Sequence, residues 1–257
     1  FDFQVEDRTD PAITCPGTQI RYADANCEAL IENLTNLVQS SDNCTNFPAI
    51  SQDIDSTIIL SGHNDAMLIT LTADDGNGQQ SSCSVSVVLK DTTSPSIVCP
   101  VDSTIFVDGN CEAETPDFQG LATSNDNCTD PAMIVITQSP APGTSFAGDD
   151  IVETITLTAD DGNGNFAQCT LDITLQDTTS PAIGCPPSIT LVVDGSCEVT
   201  IADYRSSVST SDNCTDFADI IISQSPAAGF IIRGDGFVQT VTLTADDQKG
   251  NTEDCLF

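Results

Sequence analysis

Apolar and polar residues alternate along short runs of this chain. In "ETITLTAD", Ile155, Leu157 and Ala159 stand against Thr154, Thr156 and Thr158. That period of two places one face of a strand on a core and the other in water. The runs "LITLTADD", "SVSVVLKD" and "LDITLQD" follow the same habit and are rich in Val, Ile, Leu and Thr. Clusters of Gly, Pro, Asp and Asn separate them, which predicts turns. No stretch sustains a long helical period. The pattern therefore predicts an all-β fold, with about seven short strands per segment packed as an antiparallel β-sandwich.

The pattern also recurs. Twelve cysteines fall in three groups of four, Cys15, Cys27, Cys44 and Cys83, then Cys99, Cys111, Cys128 and Cys169, then Cys185, Cys197, Cys214 and Cys255. Corresponding members are 84 or 86 residues apart, the signature of a tandem repeat. The junctions "DRTDPAITCP" (7–16), "DTTSPSIVCP" (91–100) and "DTTSPAIGCP" (177–186) mark where each repeat begins. The expected division is a strand at 1–6 that reads like the end of a preceding module, then modules at 7–90, 91–176 and 177–257. The third module's last strand reads as incomplete. Each junction is only a few residues long and carries a proline that fixes the backbone, so an elongated, semi-rigid rod of modules is expected.

Composition refines this picture. Each module is small for a two-layer core, and the chain has no Trp and two Tyr. Disulfides then compensate, each worth about 2 to 4 kcal/mol by restricting the unfolded chain. Four cysteines per module, with no CxxC pair and no histidine cluster, favour disulfides over zinc. An extracellular or cell-surface location follows from the oxidising compartment that such bonds need. With 39 acidic residues against six Lys and Arg, the formal charge is -33. Such a surface repels nucleic acid and anionic lipid, and divalent cations or high salt would offset its self-repulsion. No apolar run is long enough to span a membrane.

The combination of "DTTSPxIxCP", "DGxCE", "DNCT" and "TLTADDGNG" with a following cysteine resembles the hyalin repeat (HYR) family of immunoglobulin-like extracellular modules. The resemblance covers nearly the whole chain, three times over. It implies three tandem immunoglobulin-like sandwiches with a role in adhesion or extracellular assembly, and it does not imply catalysis. It also bears on disulfide pairing, because family members commonly keep the equivalents of Cys99 and Cys169. That implies Cys15–Cys83, Cys99–Cys169 and Cys185–Cys255, and with them Cys27–Cys44, Cys111–Cys128 and Cys197–Cys214. Pairing first with second and third with fourth stays open as the other main option.

In such a sandwich the "DNC" loop and the "DDGNG" hairpin lie at one end, beside the junction aspartate. Asp91, Asp126, Asn127, Asp160, Asp161 and Asn163 are therefore expected to converge between modules one and two. Asp177, Asp212, Asn213, Asp246 and Asp247 form the set between two and three, and Asp42, Asn43, Asp74, Asp75 and Asn77 the first copy. Carboxylates, amide oxygens and turn carbonyls suit calcium better than magnesium. Asp, Asn and Gly are equally the ordinary residues of hairpin turns, so a turn without an ion remains the alternative. Lys249 stands where the other copies carry Asn77 and Asn163, and weaker binding is expected there.

No catalytic constellation emerges. His63, the single histidine, sits in "LSGHNDA" without a GxSxG context and without counterparts in the other modules, and it is expected to face solvent. The termini carry a different signal. "FDFQVED" resembles a last strand and junction, whereas module three reads "DCLF" after its final acidic turn. One expectation is head-to-tail strand donation, with Phe1, Phe3 and Val5 entering another subunit's module three beside Leu256 and Phe257. Such a contact propagates into a filament. Covalent continuation into further repeats is the other. Two functions follow: a structural rod or filament protein, or an adhesion module that binds a glycan or protein through the variable loops "SPAPGTSFAGDD" and "SPAAGFIIRGDG".

Overall fold

The computed structural model describes residues 1–257. It is built from strands and a few single-turn 3-10 helices, arranged as three tandem immunoglobulin-like β-sandwiches. The alternation seen in the sequence sets the strand faces. Along Ala66–Asp74, Ile69, Leu71 and Ala73 are fully buried while the residues between them are only partly covered. Phe166–Gln176 does the same with Leu171, Ile173 and Leu175.

The larger sheet has one order in the first two repeats. In the first it runs Gln19–Tyr22, Gln80–Lys90, Ala66–Asp74, Ala49–Gln52, and in the second Ser103–Phe106, Phe166–Gln176, Val152–Asp160, Val135–Ser139. Its outer strand is parallel to the end of the last strand, with Gln19–Tyr22 opposite Val87 to Lys90 and Ser103–Phe106 opposite Ile173 to Gln176. Short antiparallel pairs complete each sandwich, such as Ala12–Thr14 with Gln39–Ser41 and Glu112–Glu114 with Ser145–Ala147.

Two compact units divide the chain, and their boundary runs through the second repeat. One comprises Phe1–Cys99, Gln119–Thr137 and Leu157–Cys169. Its main core is that of the first repeat, where Ile31, Leu34, Leu60, Ile69, Val87 and Leu89 pack together. The other comprises Pro100–Phe118, Gln138–Thr156 and Thr170–Phe257. Here the third repeat has a smaller core of Ile201, Val241, Leu243 and Cys255, edged by Tyr204 and Phe257, whose rings meet edge to face at 5.2 Å.

The third repeat departs from the other two at its sheet. Only three strands are present, Ile221–Ser225, Thr242–Asp246 and Thr252–Leu256. Residues 188–193 form no strand, and neither do residues 237–241. Between them lies a groove of about 580 Å³ lined by Leu191, Ile201, Tyr204, Ile232, Val241 and Phe257. Val87, Leu89, Ile173 and Leu175, near the ends of the last strands of the first two repeats, are fully buried.

The disulfides follow two patterns, one within each repeat and one between repeats. Cys15–Cys83, Cys99–Cys169 and Cys185–Cys255 each join the first and last cysteine of one repeat. The second and third cysteines correct the expectation. Instead of Cys27–Cys44, Cys111–Cys128 and Cys197–Cys214, the structure forms Cys27–Cys128 and Cys111–Cys214, and Cys44 and Cys197 are free and exposed.

The reason is distance. Cys27 lies at one end of the first repeat, where its carbonyl accepts from Gly62. Cys44 lies at the other, where the Thr45 hydroxyl donates to the Asp75 carbonyl. The nine residues of Ala66–Asp74 run between those ends, roughly 30 Å of extended chain. A disulfide needs Cα atoms within about 7 Å. The second cysteine therefore bonds to the next repeat.

Candidate cation site at the repeat junctions

The junction between the first and second repeats is built from three turns. Asp91 follows the last strand of the first repeat, Asp126 opens the "DNC" turn and Asp161 lies in the hairpin after Val152–Asp160. One carboxylate oxygen from each lies within 4.8 Å of the others. Asp91 and Asp161 are buried, and Asp126 is partly so. Asp177, Asp212 and Asp247 repeat the arrangement between the second and third repeats. Three carboxylates this close repel one another unless hydrogen bonds or a cation compensate.

Each carboxylate is held by backbone donors. Asp126 Oδ2 accepts from the amides of Cys128 and Thr129 at 2.8 and 3.0 Å, and Asp212 Oδ2 from those of Cys214 and Thr215, both at 2.9 Å. Asp161 Oδ1 accepts from the amides of Asn163 and Asn165, and its Oδ2 from the Asn165 side chain. Burial pushes the Asp161 carboxyl upward, but these bonds outweigh it and hold the group below the ordinary aspartate range. Asp42, in the first copy, is held low mainly by the amides of Cys44 and Thr45.

Several oxygens remain buried without a hydrogen-bond partner. At the first junction they are Asp126 Oδ1 and Asn127 Oδ1, and at the second Asp177 Oδ2, Asp212 Oδ1 and Asn213 Oδ1. Asp177 is only 1% exposed, so an uncompensated oxygen there is costly. Carboxylate and amide oxygens that converge without donors are hard ligands of the kind that hold a divalent cation.

Not every expected residue joins these clusters. Asp74, Asp160 and Asp246 turn outward and accept from the amides of Gly76, Gly162 and Gln248, capping their hairpins. Gly76 and Gly162 have φ of +79° and +76°, which glycine adopts without steric cost. Asn163 presents its amide nitrogen, donating to Asp91 Oδ2 and Thr129 Oγ1. Asn77 is part of the hairpin, its amide bonded to Asp75 Oδ1. Asn43 stands beside Cys44, and its side-chain amide nitrogen donates to the Asp42 carboxylate. In the first copy Asp75 is buried, and Asp75 Oδ2 and Asp7 Oδ2 lack partners. Desolvation, with Asp7, Asp42 and Asp75 nearby, raises the Cys44 thiol above its ordinary value.

Three features of the junctions were not anticipated. Asn127 Nδ2 donates 2.7 Å to the Asp24 carbonyl of the preceding repeat, and Asn213 Nδ2 donates 2.9 Å to that of Asp108. His63 is half-buried, correcting its expected place in solvent, because its Nδ1 accepts from the Asp91 amide at 3.0 Å. Asp149 takes the same role at the second junction, accepting from the Asp177 amide at 2.7 Å. Lys249 does not enter the carboxylate cluster. Its ammonium pairs with Asp149 at 3.1 Å and Asp150 at 2.5 Å. Those two carboxylates, Asp150 foremost, raise the Lys249 ammonium above its ordinary value. The signal in the sequence was the common 86-residue offset of His63 from Asp149 and Asn163 from Lys249.

No protein-family profile matches the chain. Among curated proteins, hyalin of Lytechinus variegatus is 29% identical over 196 residues, covering 74% of this chain and 35% of that protein. Hyalin of Strongylocentrotus purpuratus is 26% identical over 198 residues, covering 72% and 15%. The chain thus spans about a third or less of the hyalins it matches. Solved structures similar to it include Sidekick-1 immunoglobulin domains 1-5, with 11% identity, a TM-score of 0.40 and coverage of 98% and 58%. Human CDH23 EC21-23 matches at 14% identity and a TM-score of 0.35, covering 96% and 99%. The hyalin likeness and the five disulfides describe an extracellular, immunoglobulin-like repeat protein.

Proposed function

We propose that this chain is a structural, adhesion-type repeat protein that assembles head to tail into a filament, by strand donation and with calcium at its repeat junctions. The observation that carries strand donation is the groove of the third repeat, whereas Val87 and Leu89 or Ile173 and Leu175 are buried near the ends of the last strands of the other two. Residues 1–6 have the matching character. They form no strand, and Phe1, Phe3 and Val5 are fully exposed.

Counting back from the junction aspartates Asp7, Asp91 and Asp177, Val5 corresponds to Leu89 and Leu175, and Phe3 to Val87 and Ile173. Phe1 corresponds to Leu171, a place that Phe257 already takes in the third repeat. Phe3 and Val5 of a second copy therefore enter the groove, and Phe1 lies beyond it. An apolar strand added there satisfies both the groove and the unpaired strand edge. Deleting residues 1–6, or replacing Phe3 and Val5 with Ser, abolishes filaments in negative-stain images. Filaments that persist in both variants overturn strand donation.

Calcium rests on the unpartnered oxygens. Asp91, Asp126, Asn127 and Asp161 would hold it at the first junction, and Asp177, Asp212, Asn213 and Asp247 at the second. A cation there offsets the repulsion within each carboxylate trio and links adjacent repeats in a strongly acidic chain. The melting temperature rises with added calcium and falls with chelator. An unchanged melting temperature across that range overturns the calcium reading.

A further inference from the structure

The two free cysteines occupy positions that are bonded elsewhere in the chain. Cys197 corresponds to Cys27 and Cys111, each of which bonds to the following repeat, and Cys44 corresponds to Cys128 and Cys214, which receive those bonds. Their backbones already have the bonded conformations. Cys27 and Cys111 have φ of +59° and +62°, and unbonded Cys197 has +61°. All three amides donate to an aspartate carbonyl three residues back, Asp24, Asp108 and Asp194, at 3.0 Å. Cys44 donates its amide to Asp42 Oδ2 at 2.8 Å, as Cys128 does to Asp126 and Cys214 to Asp212.

The surroundings of Cys44 also lack what a neighbouring repeat supplies elsewhere. Asn127 and Asn213 donate to the carbonyls of Asp24 and Asp108 across their junctions. Asn43 donates to no neighbouring repeat. Asp75 is 6% exposed, and its Oδ2 is buried without a partner at the same face, as is Asp7 Oδ2. The face is shaped as the receiving half of a junction.

We propose that Cys197 of one copy and Cys44 of a second copy form a third member of this cross-repeat disulfide series, so that head-to-tail neighbours are covalently linked. This rests on the head-to-tail reading above. The partner is a second copy of this chain, and its Asp194 carbonyl is the acceptor for Asn43. The two thiols lose two protons and two electrons as their S–S bond forms. A small-molecule disulfide is the oxidant: it forms a mixed disulfide on Cys197, the Cys44 thiolate displaces it, and two small thiols are released.

The purified full chain, incubated with oxidised and reduced glutathione, should give a ladder of covalent multimers on a non-reducing gel. Peptide mapping of the multimer bands should find Cys44 joined to Cys197. Cys44→Ser and Cys197→Ser should each stay monomeric alone, and an equimolar mixture should stop at one heterodimer. Dimers of either variant alone to the same extent, or the Cys44–Cys197 peptide in the monomer band, overturn the proposal. Filament images of the Cys44→Ser/Cys197→Ser double variant separate the two readings. Filaments from that variant, with no linked peptide from the unmodified chain, overturn the disulfide and leave strand donation standing. A linked peptide without filaments retains the covalent neighbour and overturns the filament.

Discussion

The two junctions share a frame and differ in a few side chains: His63, Asn64, Gly162 and Asn163 at the first stand where Asp149, Asp150, Gln248 and Lys249 stand at the second. Each has a cross-repeat disulfide, an asparagine that donates to a carbonyl of the preceding repeat, and a trio of aspartates. The acceptor for the junction amide is His63 at one and Asp149 at the other. The hairpin residue that follows suit is Asn163 at the first and Lys249 at the second. At the second junction Asp149, Asp150 and Lys249 form one charged group, whereas Asn163 at the first donates to Asp91 and Thr129. A carboxylate with only 7% of its side chain exposed at Asp149 needs a cation nearby, and Lys249 supplies it. The imidazole of His63 accepts the junction amide at the first junction, where the hairpin carries Asn163 in place of the lysine. The unvaried parts therefore fix where repeats meet, and the varied residues adjust the charge of the meeting.

The largest effect should come from removing the shared disulfide. Cys27→Ser/Cys128→Ser opens a bond that spans 101 residues, and Cys111→Ser/Cys214→Ser one that spans 103. Chain-entropy arguments put each at up to about 4.7 kcal/mol, a fall of roughly 10 °C in calorimetric melting. Equal falls would show that the frame is common, and a change within error at either site would break it. Next is the cation. Asp126→Asn and Asp212→Asn should each reduce the calcium-induced rise in melting temperature. The second should lose more, since three buried oxygens lack partners at its junction against two at the first. Equal losses would remove that difference.

Smaller effects test the exchanged pair. Lys249→Asn should lower the melting temperature of the second junction, and His63→Asp alone that of the first. Adding Asn163→Lys to His63→Asp should recover part of the loss, as measured by a double-mutant cycle. An additive result would deny the coupling.

The smallest effect is in pH. Burial pushes the Asp149 carboxyl up, but the Asp177 amide and Lys249 outweigh it and hold the group below its ordinary 3.8. Its contribution is therefore complete above that value and is lost as pH falls through the lower folded value. Lys249 is raised above 10.5, so its contribution is complete below 10.5 and is lost as pH rises through the higher folded value. Lys249→Asn should flatten both limbs in a series of melts at different pH. Unchanged limbs would remove the pair from the pH response.

Much of the fold was legible because it is local. Ile155, Leu157 and Ala159 carry their face in their spacing, and the structure buries all three completely. The hairpin of "DDGNG" was equally readable, since Gly162 at φ +76° is what its composition provides for. The junction was readable only in outline. Of the paired aspartates, Asp161 points to the cluster and Asp160 caps the turn, a choice set by backbone direction within the hairpin. Lys249 looked like an intruder among ligands and instead reaches Asp149 and Asp150, about a hundred positions earlier in the chain.

What the sequence determined by itself was the repeat, its strands and its turns, because periodicity and turn chemistry act over a few residues. Which ends of the repeats face each other was set instead by long-range packing. Cys27 and Cys44 are separated by the length of a strand despite their closeness in sequence, while Cys128 is brought to Cys27 by the stacking of one repeat on the next. A disulfide forms where two Cα atoms come within several ångströms, and the linear order of cysteines carries no measure of that distance.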